Sequence, residues 1–365
     1  MIGNRTIILL AGFALLVAGQ ACLKHDPLNQ PFKGYEPVQF DDGLVISDPA
    51  SEQVDGDALR DIYLDMHDED LYWQFRSMLV FRNGKLVSES YMKDDADISR
   101  RHLIWSCTKQ FMGVLVGLAQ EEGLINDIND PLSDYLSEAA SYPDKDGISI
   151  RNLLMMQSGI DYSNDGVEGQ TDKILRQLPD NITEFVMARP VYKQPGTDFH
   201  YNDGDPQLLS AMIQQLAGKP TDEWADDVLF SKIGFENYNW VRYRDGVILG
   251  GFGIETTPRE MAKLALCVAD SGFYNGQQVI PKDWLEEMLS EQIVIDDDYS
   301  FGYFWWIDRN REISFMAGHG GQYAYIIPRK DLVVIMTAIP NTQGDHQINF
   351  ADATPLIDRI ISICQ

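Results

Sequence analysis

The chain has 365 residues, 44% of them hydrophobic, enough to bury a full core as one large domain or as two lobes. Acidic residues outnumber basic ones 56 to 29, a formal net charge of -27. A field of that sign repels phosphate backbones, so nucleic acid is not an expected partner and polyanionic substrates are disfavoured.

Arg5 precedes an apolar run over residues 7–18. The run is too short to cross roughly 30 Å of hydrocarbon as a helix and fits the core of a signal peptide. Gly19-Gln20-Ala21 offers small residues at a cleavage point, so residues 1–21 are expected to direct export to the periplasm or cell envelope. Cys22 follows at once and is a candidate for lipidation and membrane anchoring, although Gly19 stands where lipoprotein signals more often carry leucine. Cys107, Cys267 and Cys364 have neither framework nor metal-site spacing and read as buried free thiols.

Residues 22–65 are polar, with Pro27, Pro31, Pro37 and Pro49, and read as an extended arm over a main domain at 66–365. Strand-like runs at 78–81 and 85–91 meet at Asn83-Gly84, a pair suited to the positive φ angles of a type I′ hairpin turn. A helical lobe follows, spanning about 110–245. Within it, Asp205-Pro206 reads as an N-cap followed by proline at N1 of a helix over 207–216. Strands return at 322–327 and 332–337 around Arg329-Lys330-Asp331, and a helix over 355–363 closes the chain. The pattern predicts an α+β fold: an antiparallel sheet formed from both chain ends, flanked by helices, with a mainly helical lobe inserted.

Trp105-Ser106-Cys107-Thr108-Lys109-Gln110-Phe111 opens a helix that continues through Met112, Val114, Leu115, Val116, Leu118 and Ala119. A helix apolar on nearly every side is buried. Lys109 then sits in the interior, where an ammonium is costly unless partnered. Residues three apart share a helix face, so Ser106 and Lys109 can touch. Simple capping explains the pair poorly: a capping box wants Glu or Gln at Lys109, and a cation there opposes the helix dipole. Nucleophile chemistry explains it better, because a desolvated lysine loses its proton more readily and can take one from a hydroxyl. Spacing alone is not specific. Ser90 and Lys93 share it, but at a strand end where positions three apart face opposite sides. Cys107 points about 100° away around the helix and is not the nucleophile.

Two more segments join this one. Gln194-Pro195-Gly196-Thr197-Asp198-Phe199-His200-Tyr201-Asn202-Asp203 is a turn-rich loop, and Ala317-Gly318-His319-Gly320-Gly321-Gln322 is a glycine-rich strand start. In this order the three segments resemble the penicillin-recognising serine hydrolases: class C β-lactamases, penicillin-binding proteins, related esterases and 6-aminohexanoate-dimer hydrolases. Their motifs are S-x-x-K, Y-x-N and K-T-G or H-x-G. The resemblance runs from about 78 to 337. It takes in Asn152-Leu153-Leu154 with Ser158-Gly159, the stretch from Gly250-Gly251-Phe252-Gly253 to Pro258-Arg259-Glu260, and Phe301-Gly302-Tyr303.

The resemblance implies a β-lactamase/transpeptidase-like fold and a serine hydrolase domain needing no metal or cofactor. Ser106 would form the acyl-enzyme, Lys109 would assist its deprotonation, and Tyr201 would shuttle the proton to the leaving group. Backbone N–H groups of Ser106 and Gln322 would form the oxyanion hole. His319, with Gly320 and Gly321, would line the substrate pocket opposite Tyr201. Two departures matter. Asp203 replaces the asparagine of Y-x-N, which leaves its role open, and His319 replaces the lysine that binds a carboxylate in β-lactam-processing members. Ester or amide hydrolysis is therefore favoured over β-lactamase or D-peptidase activity, with a small-molecule ester, amide or peptide as substrate. A second reading is a catalytically silent member that binds cell-wall peptide or a protein partner. Oligomeric state stays open.

Of the remaining residues, Tyr162 is expected at the pocket rim, His200 and His102 in ordinary packing, and His67 at a solvated acidic helix end. One of Trp305 and Trp306 is expected in the core.

Overall fold

The computed structural model describes residues 29–68, 72–164, 180–340 and 348–365; the expected signal peptide and Cys22 lie outside them. Eight strands form one antiparallel sheet: β1 (Phe75–Arg82), β2 (Lys85–Tyr91), β3 (Ile293–Val294), β4 (Tyr299–Phe301), β5 (Trp306–Asp308), β6 (Ile313–Gly318), β7 (Gln322–Ile327) and β8 (Leu332–Ala338). Their spatial order is β2-β1-β8-β7-β6-β5-β4-β3. The two ends of the chain therefore meet at the sheet centre, where Leu79 of β1 and Ala324 of β7 flank Ile335 of β8. The sheet has the expected origin in both chain ends. It also extends further than expected, through β3 to β6, which are short or interrupted by turns.

Alternation along the central strands explains the layers. Met78, Val80, Tyr323, Tyr325, Val334 and Met336 join one core with helix α1 (Gly56–Met66) and helix α5 (Phe350–Ile363). Leu79, Phe81, Ala324, Ile326, Val333 and Ile335 join the other, with helix α2 (Thr108–Glu121), helix α3 (Gly204–Ala217) and helix α4 (Pro258–Ala269). Side chains of successive residues leave a strand on opposite faces, so a strand buried on both sides must be apolar throughout. Two helices, the sheet and the helical lobe make three layers. A small sheet of His102–Leu103, Ile254–Thr256 and Tyr238–Trp240 delivers the chain to Ser106.

Three local expectations are corrected. Helix α1 falls inside the segment read as an extended arm, because Asp55 caps it by accepting from the N–H groups of Asp57 and Ala58. Helix α5 begins at Phe350 rather than 355: Asn349 and Asp352 form a capping box, and Pro355 is carried inside the helix. Asp205 is not the N-cap of α3. The N-cap is Asp203, whose side chain makes no capping bond, and Asn202 Oδ1 accepts from the Asp205 N–H at 2.8 Å. The Asp205 side chain is buried, where Oδ1 accepts from the Ser158 hydroxyl at 2.6 Å and Oδ2 has no partner.

The arm, irregular from residue 29 to about 48, is fastened along its length, and two of its attachments run through His67 and Arg259. His67 bonds the Gln30 carbonyl at 2.9 Å and the Ser90 hydroxyl at 3.1 Å, so it serves as a tether rather than a solvated helix end. Arg259 of α4 makes a two-point bond with Glu89 at 2.9 and 2.6 Å, and reaches Asp42 and the Val38 carbonyl, each at 2.6 Å. The two ends of the described domain are also zipped together: the Asp55 N–H donates to the Ile363 carbonyl at 3.1 Å, and the Gln365 N–H to the Gln53 carbonyl at 3.0 Å.

Removing one member of a buried ion pair strands the other charge, at a cost of about 3–5 kcal/mol. Arg259→Met is accordingly expected to lower unfolding stability by that order in denaturant titration and to make residues 38–42 sensitive to protease; a stability within about 0.5 kcal/mol of wild type would show that the clasp carries no net weight. A second expectation concerns Asp205, whose carboxyl is pushed up to about 7 by burial. A carboxyl raised in the folded state stabilises fully below its unfolded value of about 4 and loses that contribution as pH rises towards 7. Wild type should therefore lose more stability than Asp205→Asn between pH 5 and pH 8, and parallel urea midpoints would contradict this.

Candidate active site

Helix α2 is buried from Thr108 through Ala119, as its unbroken apolar composition requires. A tight turn over Trp105–Cys107 precedes it and sets Ser106 at its mouth. Trp105 adopts φ 50, a left-handed conformation that costs a bulky residue on the order of 1–3 kcal/mol and persists only where packing enforces it. Its indole meets the His319 imidazole edge-on, with ring centres 5.4 Å apart. That contact spans the cleft beside Ser106.

Lys109 is wholly buried, and its Nζ has three acceptors for its three protons. Ser106 Oγ lies at 2.9 Å and the Gly251 carbonyl at 2.9 Å, while Asp203 Oδ1 forms a close ion pair. Tyr201 interacts with both Ser106 and Lys109, and the lysine nitrogen sits 4.8 Å from the centre of the phenol ring. Two of the three sequence motifs thus converge on Lys109, with the hydroxyl, amine and phenol close together, and the third meets the turn before it through His319 and Trp105.

The charge state differs from the sequence expectation. Burial by itself depresses a lysine, but the Asp203 carboxylate opposes it, and Lys109 is held above its ordinary range. Tyr201 is likewise raised, by burial first, with the Lys109 charge and the Ser106 bond offsetting part of that. The resting site is an ammonium, a carboxylate, a phenol and a hydroxyl. Lys109 is then a donor to Ser106, not a waiting base.

Glycine allows the closest approaches. A Cβ on Gly251 would stand 2.9 Å from Asp203 Oδ1, so only glycine lets that carbonyl share Lys109 with the carboxylate. A Cβ on Gly318 would fall 2.2 Å from the Ile104 carbonyl, and its absence lets β6 lie directly against the turn that carries Ser106. Gly320 and Gly321 face the other way, towards Pro340 and towards Ala338 and Ile348. The Gln322 side chain accepts from the Ala338 N–H at 3.2 Å and donates to its carbonyl at 2.8 Å, while its own carbonyl accepts from the Cys107 thiol at 3.3 Å. Gln322 is therefore gripped on two sides next to the Ser106 turn.

His319 is exposed at the cleft. Trp305 is fully buried, whereas Trp306 is part-exposed and stacks on Tyr201 at 6.0 Å. Tyr162 does not reach the rim: it is fully buried, with its ring against Gly204. His200 packs by bonding the Tyr162 carbonyl at 2.6 Å, and His102 bonds Asp97 at 3.0 Å. The three remaining cysteines are buried free thiols. Gly251 and Asn164, whose Oδ1 accepts the Asp203 N–H at 2.9 Å, escaped the sequence reading of the site. The glycine run at 250–253 was a signal for the first; nothing in the sequence marks the second.

The beta-lactamase family model matches residues 76–354. A 6-aminohexanoate-dimer hydrolase of Paenarthrobacter ureafaciens is 25% identical over 294 residues, 74% of each chain. Protein flp of Staphylococcus aureus (strain MW2) is 25% identical over 185 residues, which span 47% of this chain and 36% of that protein. Among solved structures, a penicillin binding protein from Bacillus halodurans has a TM-score of 0.66 at 19% identity, covering 81% of this chain and 99% of that one. A family VIII carboxylesterase has a TM-score of 0.68 at 17% identity, covering 87% and 99%. With two of its motifs joined around one buried lysine and the third against the turn that carries Ser106, the chain belongs to the beta-lactamase family and is a serine hydrolase.

Proposed function

We propose that the protein hydrolyses a carboxylic ester or amide through an acyl-enzyme on Ser106. The observation that carries this reading is the Lys109 ammonium donating to Ser106 Oγ at 2.9 Å, with the Tyr201 phenol 4.8 Å from the same nitrogen by its ring centre. A charged donor on Oγ favours the developing alkoxide. As Oγ bonds to the carbonyl carbon, its proton passes to the Tyr201 oxygen, and the phenol proton passes to the leaving oxygen or nitrogen. Water repeats the sequence in reverse and frees the acid. Backbone N–H groups of Ser106 and Gln322 are the proposed donors to the oxyanion, and the grip on Gln322 supports that role by holding its backbone still.

Ester and amide substrates agree with what the relatives act on by name, a 6-aminohexanoate dimer and carboxylesters. The cleft offers an imidazole at His319 where a carboxylate-binding lysine would favour β-lactams. The N-terminal segment supports export to the cell envelope, with Cys22 as the proposed lipid anchor.

A fluorophosphonate probe tests the assignment. Wild type should be labelled and should turn over p-nitrophenyl esters, and Ser106→Ala should lose both. Lys109→Ala and Tyr201→Phe should each lower kcat by roughly 10²-fold or more, while Cys107→Ala stays active. An unlabelled, inactive wild type would favour a binding role instead.

A further inference from the structure

We propose that Asp203, standing where the Y-x-N motif has a neutral asparagine, is a positioning residue that keeps Lys109 an ammonium through turnover, so that the amine stabilises the Ser106 alkoxide and never carries its proton. The inference rests on the serine-hydrolase reading and adds the division of labour within it.

Geometry comes first. The groups that face Lys109 come from three places: Ser106 one turn back on the same run, Tyr201 and Asp203 from the loop before α3, and the carbonyl of Gly251. The neighbouring Cys107 thiol is buried and directed at the Gln322 carbonyl. Three acceptors therefore surround Nζ, one for each proton of an ammonium. Of these partners Asp203 alone brings a full negative charge, and its side chain is only 6% exposed. Removal from water strengthens the pairing and leaves few ways to replace it.

An asparagine of the same shape would keep an oxygen against Lys109 but not the charge. Burial would then act on the lysine without its main opposition, and the amine would lose its proton at lower pH. Asparagine suits a site whose lysine must cycle between charged and neutral forms. Aspartate suits one in which the lysine stays charged and the phenol moves the proton. The step balances in that form: Ser106 O–H breaks as Oγ–C forms and Tyr201 oxygen gains that proton, then the bond from the carbonyl carbon to the leaving oxygen or nitrogen breaks, its electron pair taking the proton Tyr201 gives up.

The test is the pH dependence of kcat/KM with a p-nitrophenyl ester, for full-length wild type, Asp203→Asn and Asp203→Glu, with melting temperature measured alongside. If the ammonium is the active form, activity falls as Lys109 deprotonates. The alkaline limb of Asp203→Asn should then lie at least about one pH unit below that of wild type, and Asp203→Glu should return it towards the wild-type position. A purely structural aspartate would lower activity at every pH without moving the limb. Superimposable limbs, or an Asp203→Asn enzyme more active at neutral pH through a freed amine base, would overturn the proposal.

The ¹³Cε resonance of Lys109 in lysine-labelled protein, assigned with Lys109→Met, reads the same equilibrium without turnover or the asparagine variant. It should show no deprotonation below about pH 10, near the ordinary lysine value; titration near pH 7 would overturn the proposal. Wild type that neither labels nor turns over ester while the resonance stays charged would sink the hydrolase reading and, with it, the role in turnover, leaving only the ion pair.

Discussion

A buried ammonium must find an acceptor for each of its protons, and in this chain that need draws together segments far apart in sequence. Asp203 lies 94 residues beyond Lys109 and Gly251 lies 142 beyond it, yet both meet Nζ at the same point. The helix that carries Lys109 is apolar on all sides and can only sit inside. Its first turn is where interior and cleft meet. A charge placed there is tolerable only if the helical lobe has closed around it. Assembly of the site and packing of the lobe are thus one event, and the reactive serine is held by the same bond network that neutralises the lysine.

Backbone contacts complete what the charges begin. Two positions without a side chain, Gly251 and Gly318, let main chain approach the ion pair from one direction and the nucleophile turn from another. Trp105 pays with a left-handed backbone so that the next residue faces the cleft and its own ring meets His319. Strain next to Ser106 and crowding behind it have a common effect: they leave its hydroxyl few places to go. Such restriction is what acyl transfer needs, since a hydroxyl wandering by an ångström loses most of its advantage.

Much of this was legible because it is local. The Asn83-Gly84 hairpin has φ 53 and 73 at its two turn residues, as a type I′ turn demands, and β2 and β7 run over the residues their alternation marks. The contact of Ser106 with Lys109 follows from helical spacing. What was not legible depends on distance or on competition between signals. The charge on Lys109 was misjudged because its partner sits in another motif, and burial without that partner points the opposite way. Asp205-Pro206 looked like a cap, but Asn202 reaches the Asp205 N–H first and frees Asp205 to bond Ser158. Strands β3 to β5 hold two or three residues each, too few for a period of two to declare itself. Tyr162 was placed at the rim by its polar neighbours, yet its ring lies under the start of α3.

The zipped segments at 53–55 and 363–365 have a consequence for how the domain is wired. Strands β1 and β8 are hydrogen-bonded neighbours, so the sheet has no seam that marks where the polypeptide starts. With the chain before Gln53 cut away, a short covalent link across the zipper would turn the rest of the domain into a ring, and that ring could be reopened at an exposed hairpin such as Asn275-Gly276. The path of the chain would change while every neighbour of Lys109 stayed in place, because the architecture belongs to the circle of contacts and not to the order in which they are read.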